Sequence, residues 1–168
     1  MVKVSEALTR MIAYSEGNQH DISHFLEVWA YARMIGEAEG LDERTLKTLE
    51  LAAVVHDIAC PALRNEHGSA PGDLQEQSGP PLVRKFFQDS GIDEEMLERI
   101  CFLVGHHHTY NCVDGLDYQI LLEADFLVNA AEQEKYRRAV PKFRKNVFKT
   151  KTGIAILENI YRDSTRSI

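Results

Sequence analysis

The chain of 168 residues is 44% hydrophobic and 27% charged, with a net charge of −7. These values fit one ordinary globular domain and exclude a disordered tail, a collagen-like rod or a disulfide scaffold. Apolar stretches such as Leu51 to Val55 fall far short of the roughly 18 residues that would cross a bilayer. Glu6 and Arg10 stand where a signal peptide needs its apolar stretch, so neither membrane nor export is expected.

Apolar residues recur at helical spacing along the chain, and strand-type alternation is nearly absent. The spacing predicts helices over 3–16, 21–39, 42–57, 74–90, 93–106, 117–133 and 151–162, with a short one near 137–149. Gly17-Asn18 breaks the chain before the second helix, Asp21 reads as its cap, and Gly40 closes it. Asp42 opens the third helix, Gly91 ends the fourth, and Asp93 with Glu94 and Glu95 favours the N-terminal dipole of the fifth. The stretch 58–73 reads as one long irregular loop, and long loops of this kind are often functional. The expectation is an all-α, single-domain bundle of about six to eight helices spanning 1–168.

Charge is unevenly spread along this frame. Residues 1–134 hold nine Lys and Arg against 24 Asp and Glu, whereas 135–151 hold eight basic residues and no acid. The acidic balance argues against duplex nucleic acid as a partner. The basic segment is either a solvated face or a local clamp for an anionic substrate. Cys60, Cys101 and Cys112 are odd in number and lack CxxC spacing, so they read as reduced thiols in a cytoplasm.

The sequence contains no phosphate-binding glycine loop, no GxSxG and no HExxH. What remains is histidine and carboxylate on apolar helix faces. His56-Asp57 ends the most apolar helix, LELAAVVHDIA, and an Asp there is costly unless it is paired or binds a metal. His24 shares a face with Val28, Tyr31 and Ile35, and Asp125 is flanked by Leu121, Leu122 and Val128. Each alone reads as a satisfied core group. Converging in a bundle core, the four would make a mixed nitrogen–oxygen metal shell with positions open to water. Further candidates lie between the doublet and Asp125: Glu76 in QEQSGPPL, and the run His106-His107-His108, where the bland reading is a His run at a helix C-terminus.

The pattern H-(31)-HD-(67)-D on helices resembles the HD superfamily of metal-dependent phosphohydrolases. HDISHFLEVWAYA, LAAVVHDIA and LLEADFLVNA match its first, second and last motifs in order, over about residues 15–135. The resemblance implies an all-α bundle and a divalent transition metal (Fe, Mn, Co, Zn or Ni, with Mg as a further candidate) on His24, His56, Asp57 and Asp125. A second ion would draw on Glu76, His106 and His107, although Glu76 stands where the family often has histidine. In that reading Asp57 orients the nucleophilic water, and His107 or Glu76, where not bound to metal, shuttles a proton. His108, Arg64, Arg137, Arg138 and Lys142 then face a small anionic phosphoester, a nucleotide or another phosphomonoester. Two alternatives stay open, an HD-type di-iron oxygenase and a metal-binding regulatory module without turnover. The sequence leaves the oligomeric state open, a homodimer included.

Overall fold

A computed structural model of the chain describes residues 2–165, and among these there is no strand. Seven helices of ten residues or more carry the fold: α1 (Val4–Tyr14), α2 (Gln19–Ala38), α3 (Glu43–Val55), α5 (Gly72–Phe87), α6 (Glu94–Val104), α7 (Leu116–Glu132) and α10 (Lys151–Ile160). Four shorter ones connect or cover them: α4 (Cys60–His67), α8 (Glu134–Arg138), α9 (Val140–Asn146) and α11 (Arg162–Thr165). None of the helices is long and apolar enough to cross a membrane.

The core forms around two central helices. Every residue of α3 from Thr48 to Val55 is buried, as is every residue of α7 from Asp117 to Val128. Helix α2 packs on both, α1 and α6 pack on α3, and α5 pairs with α6. Helix α2 offers these neighbours one stripe, with Phe25, Val28, Ala32 and Ile35 buried at helical spacing. Burying Phe25, Val28 or Ile35 contributes about 1.5–3 kcal/mol each. Because α3 is enclosed on all sides, the polar residues that follow its last turn emerge inside the protein.

Local signals set the boundaries. Asp42 caps α3 by accepting from the amides of Arg44 and Thr45, each at 3.0 Å, and Asp93 caps α6 through the Met96 amide at 3.0 Å. After α2, Gly40 takes φ +78°. The amides of Gly40 and Leu41 return to the carbonyls of Glu37 and Gly36, the paired bonds of a Schellman ending.

Four expectations need correction. The stretch 58–73 is not one loop but contains α4, whose start tolerates Pro61 because a first-turn amide has no helical partner. Asp21 is not the cap of α2: Asn18 accepts from the Asp21 amide, which leaves the Asp21 carboxylate for Arg64. Helix α5 ends at Phe87, and Gly91, at φ +69°, belongs to the following turn. The segment 137–149 divides into α8 and α9 around Ala139, with Pro141 at the start of α9.

The basic segment is a packed cover on α7. Phe143 stacks on Phe126 at 3.8 Å between ring centres, Phe148 meets the same ring edge-on at 5.8 Å, and Val140 is buried. Its apolar side therefore faces inward. Arg144 pairs with Glu158 of α10 at 2.6 Å, and Arg137 donates to the last carbonyls of α7, those of Ala130 and Ala131. Beneath it, the fully buried Glu123 accepts from the amides of Lys149 and Thr150 at 2.7 and 3.0 Å, which anchors the entry to α10.

Candidate metal centre

Three helices deliver one cluster. His24 projects from the second turn of α2, His56 and Asp57 follow the last turn of α3, and Asp125 lies midway along α7. His24 Nε2 is 3.2 Å from His56 Nε2, 3.2 Å from Asp125 Oδ1 and 3.4 Å from Asp57 Oδ2. His56 Nε2 is 3.4 Å from Asp125 Oδ1 and 3.5 Å from Asp57 Oδ1. On the other side of Asp57, Oδ1 lies 3.3 Å from His107 Nε2. His24, His56 and Asp57 form one group that could hold a metal ion; Asp57, His107 and His108 form another.

The hydrogen bonds on the far side of each ring define what faces the centre. His56 Nδ1 lies 2.8 Å from the Ala53 carbonyl and His107 Nδ1 lies 2.7 Å from the Val104 carbonyl. A carbonyl only accepts, so each Nδ1 carries the proton and each Nε2 of the neutral ring presents a lone pair. His24 Nδ1 is 3.0 Å from Glu132 Oε2, and the same reasoning applies. Three imidazole lone pairs and two carboxylates thus converge, and among the described residues the one side-chain amide donor joining them is Asn129 Nδ2, 2.8 Å from Asp125 Oδ1. A buried set of acceptors needs a cation at its focus. The donor set and its spacing fit a divalent transition metal.

Among the protein groups themselves, protons take that role. Burial opposes a charge on His24, but the carboxylates of Asp125, Glu132 and Asp57 outweigh it and raise its pKa to about 11. His107 is likewise raised against its burial, chiefly by Asp57. Burial would raise Asp57 and Asp125, yet the surrounding imidazoles hold both below the usual carboxylate range. A metal entering this site must displace protons. His108 moves the other way, lowered to about 4 by burial and by neighbouring His107.

The cluster opens into a cleft of about 410 Å³ whose wall includes His24, Asp57, Asp125, Gln75 and His108. Asp57 is the exposed member, with 31% of its side chain accessible. His56 and His107 lie behind it, fully buried. His107 is therefore held against Asp57 and does not reach the cleft, contrary to a role in carrying protons to substrate.

Glu76 is not brought to the cluster. Its carboxylate accepts from the His108 amide at 2.9 Å and from the Thr109 hydroxyl at 2.9 and 3.1 Å, tying down the turn after α6. One residue earlier, Gln75 points inward: Nε2 donates to the Ala70 carbonyl, which turns Oε1 toward His107 Nε2 at 3.2 Å and His108 Nε2 at 3.0 Å. His106 is also turned away, with Nδ1 bonded to the Phe102 carbonyl and its ring stacked on Phe102 at 4.2 Å. The inward histidines of the run are thus 107 and 108, not 106 and 107.

The basic candidates divide similarly. Arg64 lines the cleft but is engaged by Asp21. Arg137 and Arg138 pair with Glu134, and neither they nor Lys142 line the cleft. Lys135 does line it, and its ammonium lies over the Tyr136 ring at 4.7 Å. Gln75, Asn129, Glu132 and Lys135 escape the motif pattern in the sequence. Asn129 and Glu132 follow Asp125 by four and seven residues, one and two helical turns along the same face, and that spacing is the signal that could have found them.

An all-helical frame with a His and His-Asp cluster closed by an Asp from a later helix is the arrangement of an HD-type domain. The HD domain family model matches residues 21–136, and the chain belongs to that family. No curated protein and no solved structure matches the chain.

Proposed function

We propose that this protein is a metal-dependent phosphohydrolase that cleaves a small phosphoester, a nucleotide or another phosphomonoester, with water. The observation that carries the reading is the convergence of three imidazole lone pairs and two carboxylates, from separate elements, at the wall of an open cleft. In this reading His24, His56, Asp57 and Asp125 hold one divalent ion. Asp57, His107 and His108 hold a second, with the Gln75 carbonyl oxygen beside them. A nitrogen-rich donor set suits Fe, Mn, Co, Zn or Ni better than Mg. Such ions supply an acidified water and neutralise charge on the phosphoryl oxygens.

The chain's own residues supply the rest. Asp57, shared by both groups and open to the cleft, orients the attacking water by accepting its hydrogen bond. Lys135 is the cleft cation without a carboxylate partner among the described residues, and it meets the substrate's anionic end. Arg64, engaged by Asp21, lines the same cleft.

The test is turnover of nucleoside monophosphates and p-nitrophenyl phosphate by protein loaded with manganese, cobalt or zinc. The expected result is phosphate release that chelation removes and that Asp57→Ala lowers by at least about 100-fold. Turnover insensitive to Asp57→Ala, or none with any of these esters and metals, overturns the proposal. Oxygen consumption by the iron-loaded protein would replace it with an oxygenase.

A further inference from the structure

We infer that Glu132 is a positioning residue for the proposed metal site, holding His24 in the tautomer and ring orientation that turn Nε2 toward Asp57 and Asp125. The inference rests on the metal-binding reading above. Its ground is a difference among the clustered imidazoles. His56 and His107 each take their orientation from a carbonyl three residues back in their own chain, Ala53 and Val104. Both lie just beyond a helix end, where carbonyls of the last turn lack helical partners and are free to accept. His24 lies within α2, where the preceding carbonyls are committed to the helix ladder. Its ring must be oriented from outside.

Helix α7 does this from both ends. Asp125 and Glu132 are seven residues apart, two turns along one face. Asp125 Oδ1 approaches His24 Nε2 at 3.2 Å and Glu132 Oε2 approaches Nδ1 at 3.0 Å, so the imidazole is gripped across its width. Glu132 is the last residue of α7, and although the residue as a whole is exposed, only 18% of its side chain is accessible. His20, one helical turn before His24, approaches the same carboxylate oxygen from solvent, its Nε2 3.3 Å away. The two histidine rings run nearly parallel at 6.2 Å.

A carboxylate on the far nitrogen of a metal-binding histidine fixes its tautomer and raises its basicity, and losing such a partner typically lowers metal affinity 10–100-fold. The motif residues alone therefore do not complete the site: α2 supplies the ligand, and the end of α7 aims it.

The experiment compares wild type, Glu132→Gln and Glu132→Ala. Zinc affinity is measured by competition with a chromophoric chelator, and the His24 ring nitrogens are followed in 15N-labelled, zinc-loaded protein. The amide of Glu132→Gln still offers Nδ1 an acceptor and keeps the shape, so affinity should fall by less than about tenfold there and by about 10–100-fold in Glu132→Ala. Wild type should show a protonated Nδ1 on His24, and Glu132→Ala should lose that hydrogen-bonded proton signal. Equal affinities and an unchanged His24 spectrum in both variants overturn the positioning role and leave the metal site standing. A wild-type protein that takes up no zinc, manganese or cobalt overturns both.

Discussion

Helix α7 carries two buried carboxylates two residues apart, and they do opposite things. Glu123 is surrounded by donors: the amides of Lys149 and Thr150, the Thr150 hydroxyl and the Gln119 side-chain amide at 2.7 Å. Asp125 receives one such donor, from Asn129, and otherwise faces imidazole nitrogens of His24 and His56. A buried carboxylate ringed by fixed donors is complete within the protein and serves the fold. One set among groups that are themselves acceptors is complete only with a cation. Burial is the same in both cases; the sign of the surrounding groups separates a structural carboxylate from a ligand.

The largest expected effects come from removing each in turn. Glu123→Ala strands the buried Thr150 amide and hydroxyl and the part-buried Lys149 amide, and we expect a loss of about 3 kcal/mol in urea unfolding. Asp125→Asn should abolish tight metal uptake while its metal-free form unfolds much closer to the metal-free wild type. If the two variants lost stability equally and both kept their metal, the distinction would fail. Gly153→Ala offers an intermediate probe of the structural half. A Cβ at Gly153 would overlap the Glu123 carboxylate, so about 1–3 kcal/mol of overpacking cost should appear in the same unfolding assay, with metal uptake intact.

The smallest effect belongs to a third carboxylate, exposed and donor-satisfied. Arg99 binds Asp114 through two bonds of 2.8 and 2.9 Å and holds its pKa below the usual carboxylate value. A depressed folded-state pKa gives stability that is present above the unfolded carboxylate value and lost as pH falls through the folded one. The urea midpoint of wild type should therefore drop slightly more than that of Asp114→Asn between about pH 5 and pH 2. Parallel curves for the two proteins would show that this surface pair contributes nothing.

The frame and the first cluster were legible in the sequence because both depend on local pattern. Apolar spacing marks the long helices, and a His or Asp on an apolar face, as with His24, His56 and Asp125, marks groups that the core must accommodate. Glu123 sits on the same apolar helix as Asp125, and apart from Gln119 one turn earlier its donors lie 26 and 27 residues later in the chain, where no local pattern reports them. Glu76 is the candidate in the sequence, and Gln75, which faces the cluster instead, lies only about 100° away around the helix, with nothing in QEQSGPPL to mark which of the two points inward. Helix α5 begins at Gly72 rather than 74, and Pro80 and Pro81 interrupt its ladder just beyond this turn. The inward face of the His106–His108 run was equally undetermined, since the three residues follow the end of α6, where helical periodicity no longer applies. Arg137 and Arg138 drew attention through charge alone, and charge does not report which side of a short helix faces a cleft.

The central claim is that the acceptor cluster exists to bind a metal. Elemental analysis of wild type and Asp57→Ala, purified alike without chelator and then incubated with manganese, cobalt or zinc, tests it most directly. Asp57 belongs to both groups of potential ligands. The account predicts one to two tightly held transition-metal ions per wild-type chain and near none in the variant. No metal in wild type after incubation, or equal metal in both proteins, would contradict it.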